Sequence, residues 1–446
     1  MNDSGVKIEV HLIQNFAPSN LNRDDTGQPK SATFGYVQRA RISSQCEKHA
    51  VRGWWCKHGT VTIGDRTKRL QQLIAGELAK DMEFVKKVAD NEDRKIGIRV
   101  FTNAYYAAAD KKKPDNTSVL IFVGPNEIDV CTQVMKEIWD ENIDPIVKKI
   151  RDLKTNKPGK KETLDNNDDA TEQPAEQKDD KEEVAEKTDD KKKSKGPELK
   201  PIDELKVRLK AAQVSADIAL FGRMLAENPG LNTDGACQVA HPISTHKVDM
   251  EMDFYTAVDD LNPEEETGAG MMGVVGFNSA CYYRYALVDR DQLARNLSGK
   301  TERINKGKWA YELEAKDYQE ADTVIKAFLE AMVYSIPTGK QNSFAAQNLP
   351  SFGLFVRRQG GVPISLANAF AKPVRPTKDD DDLIGLSVNA LTKHWNAIKM
   401  VYGDQGVKET ACFHLSYGTR LNELKDCDKG SVKNAIDAIM ETREEQ

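Results

Sequence analysis

Two histidines and a run of aspartates are the first residues whose types and spacing suggest chemistry. His241 and His246 flank a Pro–Ile–Ser–Thr stretch, with Asp249, Asp253, Asp259 and Asp260 downstream. An imidazole base beside carboxylates is the equipment of acid–base or metal-assisted phosphodiester cleavage. The chain has no HEXXH, no GxSxG and no compact carboxylate pair, so composition alone favours binding over catalysis. Cys46, His49, Cys56 and His58 are the residue types of a zinc site. Cys46 and His49 would share a helix face, but Cys56-x-His58 is not a structural-zinc spacing, and spectator side chains are expected. Gly268, Gly270 and Gly273 spell G-x-G-x-x-G. A dinucleotide loop follows a buried strand, whereas Glu264–Glu266 stand here and would repel a pyrophosphate, so a flexible glycine-rich loop is expected.

A fourth group is basic. From Lys30 to Lys57 the charged residues are Lys30, Arg39, Arg41, Lys48, Arg52 and Lys57 against Glu47 alone, interleaved with Phe34, Tyr36, Trp54 and Trp55. Positive charge among aromatic rings suits a surface that tracks phosphates and stacks bases. A solvated helix face would carry the same run, and on this feature alone that alternative stays open.

The elements that must position these groups follow from periodicity. Val6, Ile8, Val10 and Leu12 alternate with Lys7, Glu9 and His11, which predicts a half-buried strand. A loop rich in turn formers (Pro18 to Pro29) follows. Ser43 or Ser44 is the N-cap of a helix beginning near Ser44, with Glu47 at capping-box spacing from Ser44. Lys48 and Arg52, four apart, share a face of that helix, and its N-terminal amides could themselves hold a phosphate. Helical stripes run over 68–89, over Ile128 to Leu153 with a break at Pro145, and from Leu205 to Leu220, ending before Gly222–Met224. Strands are expected at Val119–Val123, Ala280–Leu287, Phe352–Val356 and Ala411–Ser416. Helices are expected at Ala321–Val333, Ala390–Val401 and Val432–Ile439, the first two closed by Pro337 and Gly403. Strands and helices interleave at both ends around a helical middle, the pattern of an α+β sheet domain split by a long helical insertion.

The chain has 446 residues, a net charge of -6 and 39% hydrophobic residues, enough for a large core and two or three structural units. No apolar run approaches a membrane helix, and Met1 to Ile13 alternate rather than form a signal peptide. Seven cysteines without a CxxC pair fit a reducing cytoplasm. A negative total argues against a nucleic-acid partner, but its distribution does not. Residues 162–190 hold thirteen acids against Lys178, Lys181 and Lys187, so this one stretch outweighs the whole negative excess and leaves the rest of the chain positive. With only Leu164 and Val184 as large apolar residues, about 155–200 is expected to be a disordered insertion facing solvent.

Six segments taken together are more specific: NLNRDDTGQPKSATFG (20–35), RARISSQCEKHAVR (39–52), DIALFGRM (217–224), AHPISTHKVDMEMDFYTAVDDL (240–261), YYRYA (282–286) and SLANAF (365–370). In this order they resemble the backbone subunits of type I-E CRISPR Cascade complexes (CasC, Cas family seven, within the RAMP superfamily). The matching blocks reach to about residue 375, and the last 70 residues match only weakly. The resemblance implies an α+β hand: a modified RRM-like, ferredoxin-like palm (1–62, 237–244 and 282–446), helical fingers with the acidic insert (63–236), and a β-hairpin thumb (245–281). It implies a non-catalytic protein without cofactor that binds guide RNA (crRNA) in several head-to-tail copies. Its other partners would be target DNA and the large, small, Cas family five and Cas family six subunits, with no membrane. The thumb would flip guide nucleotides at regular intervals, so that the guide reads sequence.

Carried onto this chain, Arg23, Lys30, Arg41, Lys48 and Arg52 would neutralise guide phosphates while Ser43, Ser44 and Gln45 donate hydrogen bonds. Arg223 and Met224 would act at the fingers. Phe254, Tyr255 and Thr256 would lie in the thumb beside the flipped nucleotide, with Thr245 and His246 at its base and 268–273 at its tip. Cys46, Glu47, His49, Trp54 and Trp55 depart from the family's usual choices on their helix, and Glu47 would weaken its positive face. The rival reading is an RRM-like, metal-dependent ribonuclease of the same superfamily using His241 or His246.

Overall fold

The computed structural model describes residues 5–155, 197–257, 271–304, 308–377 and 381–441. The expected acidic insertion lies almost wholly outside them, as do Asp259, Asp260, Gly268 and Gly270. In chain order the elements are β1 (Val6–Ser19), β2 (Ser31–Phe34), β3 (Val37–Ala40), α1 (Ser44–His58), β4 (Asp65–Thr67), α2 (Leu70–Lys80), α3 (Met82–Lys87), α4 (Asn91–Tyr105), β5 (Ile121–Val123) and α5 (Pro125–Glu137). After a π-helical turn at Trp139–Ile143 come α6 (Asp144–Thr155), α7 (Asp203–Ala211), α8 (Ala216–Phe221), β6 (Cys237–Val239), β7 (Ile243–Ser244), β8 (Glu251–Ala257), β9 (Met271–Asp289) and α9 (Arg290–Ser298). The chain closes with β10 (Arg303–Ile304), β11 (Lys308–Trp309), α10 (Ala315–Tyr334), α11 (Gln341–Phe344), β12 (Phe352–Gln359), α12 (Leu383–Tyr402), β13 (Val407–His414) and α13 (Val432–Met440).

Contacts divide the chain into two compact units. The first holds Met1–Thr67, Ile121–Ile128 and Val207–Gln446; the second holds Lys68–Leu120 and Asp129–Lys206. Residues 121–128 and 207–236, read from sequence with the helical middle, therefore pack with the sheet.

The first unit is built on an antiparallel sheet ordered β13-β12-β1-β9-β6, with β7 and β8 also paired to β9. β1 lies between β12 and β9, with Val10 opposite Phe355 on one side and Ala286 on the other. Its apolar face (Ile8, Val10, Leu12) packs with Val51 and Trp55 of α1 and Ile325 and Phe328 of α10. The other face is not half-solvated as the alternation predicted: Glu9 and His11 are fully buried. The second face is closed by a separate core that includes Val388, Leu391 and Trp395 of α12. Polar groups survive there because each finds a partner. Glu9 accepts from Arg358 at 3.0 Å and from the Ile364 amide at 2.6 Å, and His11 Nδ1 lies 2.8 Å from the Tyr283 hydroxyl.

The second unit buries Leu70, Ile74, Leu78, Ile98, Phe101 and Tyr105. Gly97 is required where Trp139 crosses α4, since a Cβ there would sit 2.4 Å from the indole. The stripe over 68–89 is two helices, because Asp81 interrupts it and caps α3 with its carboxylate on the Glu83 and Phe84 amides. The bend expected at Pro145 falls upstream, in the π-helical turn; Pro145 sits in the first turn of α6, where a missing N–H costs nothing. The stripe from Leu205 to Leu220 is likewise two helices, α7 and α8. Among the described residues no helix is long and apolar enough to cross a membrane.

Candidate nucleic-acid interface

Ser43 caps α1, its hydroxyl accepting from the Cys46 amide at 3.3 Å. Its own amide donates to Asn22 Oδ1 at 2.8 Å, which ties the loop carrying Arg23 to the start of the helix. Asp24 organises that loop by accepting from the Thr26 hydroxyl at 2.8 Å and the Thr26 and Gln28 amides. Those bonds, the Thr26 hydroxyl first, hold its carboxyl below the usual range. Arg23 is left exposed on an open cleft of about 510 Å³ also lined by Cys46 and His49 of α1. Ser44, Gln45 and Lys48 keep solvent access in the first two turns, while Ser43 is buried and occupied as the cap.

Lys30 and Arg41 are joined at the open end of the β2–β3 hairpin, the Arg41 amide donating to the Lys30 carbonyl at 2.9 Å. The Arg41 guanidinium lies 2.9 Å from His241 Nδ1 and donates to the Ser31 carbonyl at 3.2 Å. Burial first, then the Arg41 charge, pushes the His241 imidazolium toward its neutral form. This hairpin was absent from the sequence reading.

Two arginines expected to bind RNA, Arg52 and Arg223, are bonded inside the fold. Arg52 shares a face with Lys48, but its guanidinium is turned inward: its Nε donates to buried Asp217 at 2.7 Å and its Nη2 to the Gly64 carbonyl at 2.7 Å. Lys48, one turn earlier, rests over the Phe221 ring at 5.3 Å. Arg223 is buried, 2.6 Å from Glu127 and bonded to the Leu231 and Phe122 carbonyls. Gly222, at φ +79° and against Gly235, turns the chain so that Arg223 points in and Met224, 83% exposed, points out. A basic residue near the right motif is not a free cation when a carboxylate is folded against it.

β8 and the first half of β9 form a two-stranded ribbon in which every residue of β8 is exposed. Phe254 pairs with Val274, Tyr255 with Gly273, and Thr256 with Met272. Phe254 is 63% exposed, with Met252, Met272 and Val274 on its face of the ribbon and Met271 exposed on the other, an apolar set the sequence reading did not single out. Met252 and Phe254 alternating with Glu251 and Asp253, together with the Met271–Met272 pair, were the available signal. Gly273 accommodates the Tyr255 ring, which a Cβ there would approach to 2.5 Å.

Thr245 and His246 lie beside Cys281, at the ribbon's root. Thr245 is buried, accepting from the Ser387 hydroxyl at 2.8 Å. His246 Nε2 accepts from the Cys281 amide at 3.2 Å, and its Nδ1 lies 2.7 Å from the Lys247 carbonyl, which fixes a neutral tautomer. Burial lowers its pKa further. The four residues of the zinc reading are not brought together. His58 stacks on Trp54, while the half-buried Cys46 thiol, pushed up to about 11 by burial and Glu47, faces the Leu21 carbonyl. Among the described residues no three His, Cys, Asp or Glu side chains converge on one point.

Residues 8–441 match the sequence profile of the CT1975-like protein family. The chain belongs to that family. Its fold is similar to a chain of a solved CRISPR RNA-guided surveillance complex in a pre-nicking state, with a TM-score of 0.70 and 26% identity over 97% of this chain and 99% of the other. A chain of a second CRISPR RNA-guided surveillance complex has the same fold, with a TM-score of 0.63 and 22% identity over the same shares. No curated protein matches the chain.

Proposed function

We infer that the chain is a non-catalytic guide-RNA-binding backbone subunit of a Cascade-type CRISPR surveillance complex, of the type I-E kind that its motifs resemble. The observation that carries this is the end-to-end likeness, at 26% identity, to a chain of an RNA-guided surveillance complex. The surface supports it: exposed Arg23, half-exposed Lys30, Arg41 and Lys48, and the open first turn of α1 gather cations and donors suited to a phosphate track. The exposed Met- and aromatic-rich ribbon around Phe254, Tyr255 and Thr256 suits a wedge between bases. Arg52, Arg223, Ser43, Thr245 and His246 position these groups rather than touch RNA. Copies would assemble head to tail along one guide, with target DNA and the other complex subunits as further partners.

The ribonuclease alternative needs His241 or His246 as a free base, and both have a ring nitrogen held by a protein donor. Co-expression with a CRISPR array, followed by mass measurement, tests the choice. A large oligomer holding uncleaved RNA is expected. A small protein that cuts RNA only with added metal, and stops doing so as His246→Ala, would refute it.

A further inference from the structure

Tyr36 has no task in the function proposed above. Its side chain is fully exposed, and its backbone sits at φ +63°. Gly35 and Tyr36 form the two-residue turn between β2 and β3, both at positive φ. Glycine and asparagine adopt that conformation readily, while a bulky residue there is an outlier. The turn therefore carries a poorly suited residue and buries none of it.

The mount beneath it is rigid. A Cβ at Gly35 would fall 1.7 Å from the Ala371 carbonyl oxygen, so the turn is pressed against residue 371. Arg39, fully buried in β3, donates to the carbonyls of Phe34 at 3.1 Å, Ser244 at 3.0 Å and Phe370 at 2.7 Å. Strain that the surroundings hold in place marks a functional position more often than a defect. Lys372 directly follows Ala371, the residue against which Gly35 packs. Lys372 and Arg375 are exposed, and among the described residues neither has a carboxylate partner. The carboxylates that follow, Asp381 and Asp382, are bonded to the amides of Thr377 and Gly385.

We propose that Tyr36 is a stacking platform for an unpaired base of a single-stranded nucleic acid, with exposed Lys372 and Arg375, on the segment that starts at Ala371, holding adjoining phosphates. An open ring beside cations is the chemistry of sequence-tolerant single-strand binding. A protein partner would want more apolar surface than exposed Thr33, Gln38 and Lys372 provide around the tip. The inference rests on the nucleic-acid reading above and extends it to a surface away from α1.

The test uses the guide-loaded complex from co-expression, with retained RNA per chain and affinity for a labelled DNA strand complementary to the guide as readouts. Tyr36→Gly suits the turn better than tyrosine, so its melting temperature is expected to hold or rise. One of the two readouts should fall roughly five- to hundredfold, the range of one lost base stack. Tyr36→Phe keeps the ring and should stay near the parent. Lys372→Ala with Arg375→Ala should reduce the salt slope by about 1.4, the share of two single-strand phosphates. Loss of RNA assigns the stack to the guide, and loss of DNA with RNA retained assigns it to the target strand; either supports the platform. Both readouts unchanged in Tyr36→Gly overturn it. So does a complex that falls into chains binding RNA with parental affinity, which would make Tyr36 a subunit contact. A parent complex without any nucleic acid refutes the proposed function itself, and this inference with it.

Discussion

Arg284, in the middle of the sheet on β9, donates from Nε and Nη2 to the same oxygen of Glu47 on α1, at 3.0 and 2.6 Å. Both side chains are 2% exposed. The pair bolts the helix that presents Ser44, Gln45 and Lys48 to the strand that continues into the exposed ribbon. It also changes what Glu47 means. In sequence it subtracts from the positive face of α1; in the structure its charge is neutralised internally by Arg284, and Lys48 keeps its solvent access.

Glu47→Ala leaves the buried Arg284 guanidinium with the neutral Gln14 side chain in place of a counter-charge. Breaking one side of a buried pair typically costs about 3–5 kcal/mol, and a loss of that size is expected in urea unfolding. Glu47→Ala combined with Arg284→Met should cost less than the two single changes added together. A Glu47→Ala chain within about 1 kcal/mol of the parent would show that the pair does not hold α1.

Arg52 and Lys48 should separate cleanly. Arg52→Ala leaves buried Asp217 with only neutral partners and is expected to lower stability by roughly 2–3 kcal/mol. Lys48→Glu alters a half-exposed side chain, so unfolding should move by less than about 1 kcal/mol while the RNA carried through purification drops. The ratio of absorbance at 260 and 280 nm, read beside a melting curve, distinguishes them. If Arg52→Ala melts like the parent, the inward assignment of Arg52 is wrong.

The ribbon offers the opposite signature. Phe254 and Met272 are exposed, so Phe254→Ser with Met272→Ser should leave the melting temperature of the isolated chain unchanged. In co-expression the same double variant is expected to give smaller assemblies by light scattering. Full-size assemblies would show that these two side chains are not needed to hold the guide-bound assembly.

His246 sets a pH dependence. Its pKa is lowered in the fold, so the unfolded chain binds the extra proton first and the folded state loses stability as pH falls below about 6.5, the ordinary histidine value. Above that pH the contribution is fully present. His246→Gln removes the titration, so the parent should lose stability relative to the variant between pH 7 and 5, by at most about 1.4 kcal/mol per pH unit. Parallel urea midpoints for both chains across that range would reject the buried neutral imidazole.

Much of the fold was legible because its causes are local. Ala321–Val333 and Ala390–Val401 carry helical stripes with nearby stop signals, and each lies within an observed helix, α10 and α12. Ser43 and the residues after it specify the start of α1 through one side-chain-to-backbone bond three residues long. The concentration of cations from Lys30 to Lys57 is likewise a property of the sequence alone. The π-helical turn, the division of 205–220 and the second buried face of β1 were not legible, because each depends on what packs against the segment.

The availability of each charge was decided by the tertiary structure. Arg52 meets Asp217, Arg223 meets Glu127 and Arg284 meets Glu47 across separations of 165, 96 and 237 residues. Nothing near any of these arginines in sequence announces its partner. Sequence determined where positive charge accumulates and which segments are helical, since those follow from residue type and short-range periodicity. Folding decided which cations stay exposed and which are spent inside, since that depends on desolvation and on carboxylates brought from distant parts of the chain.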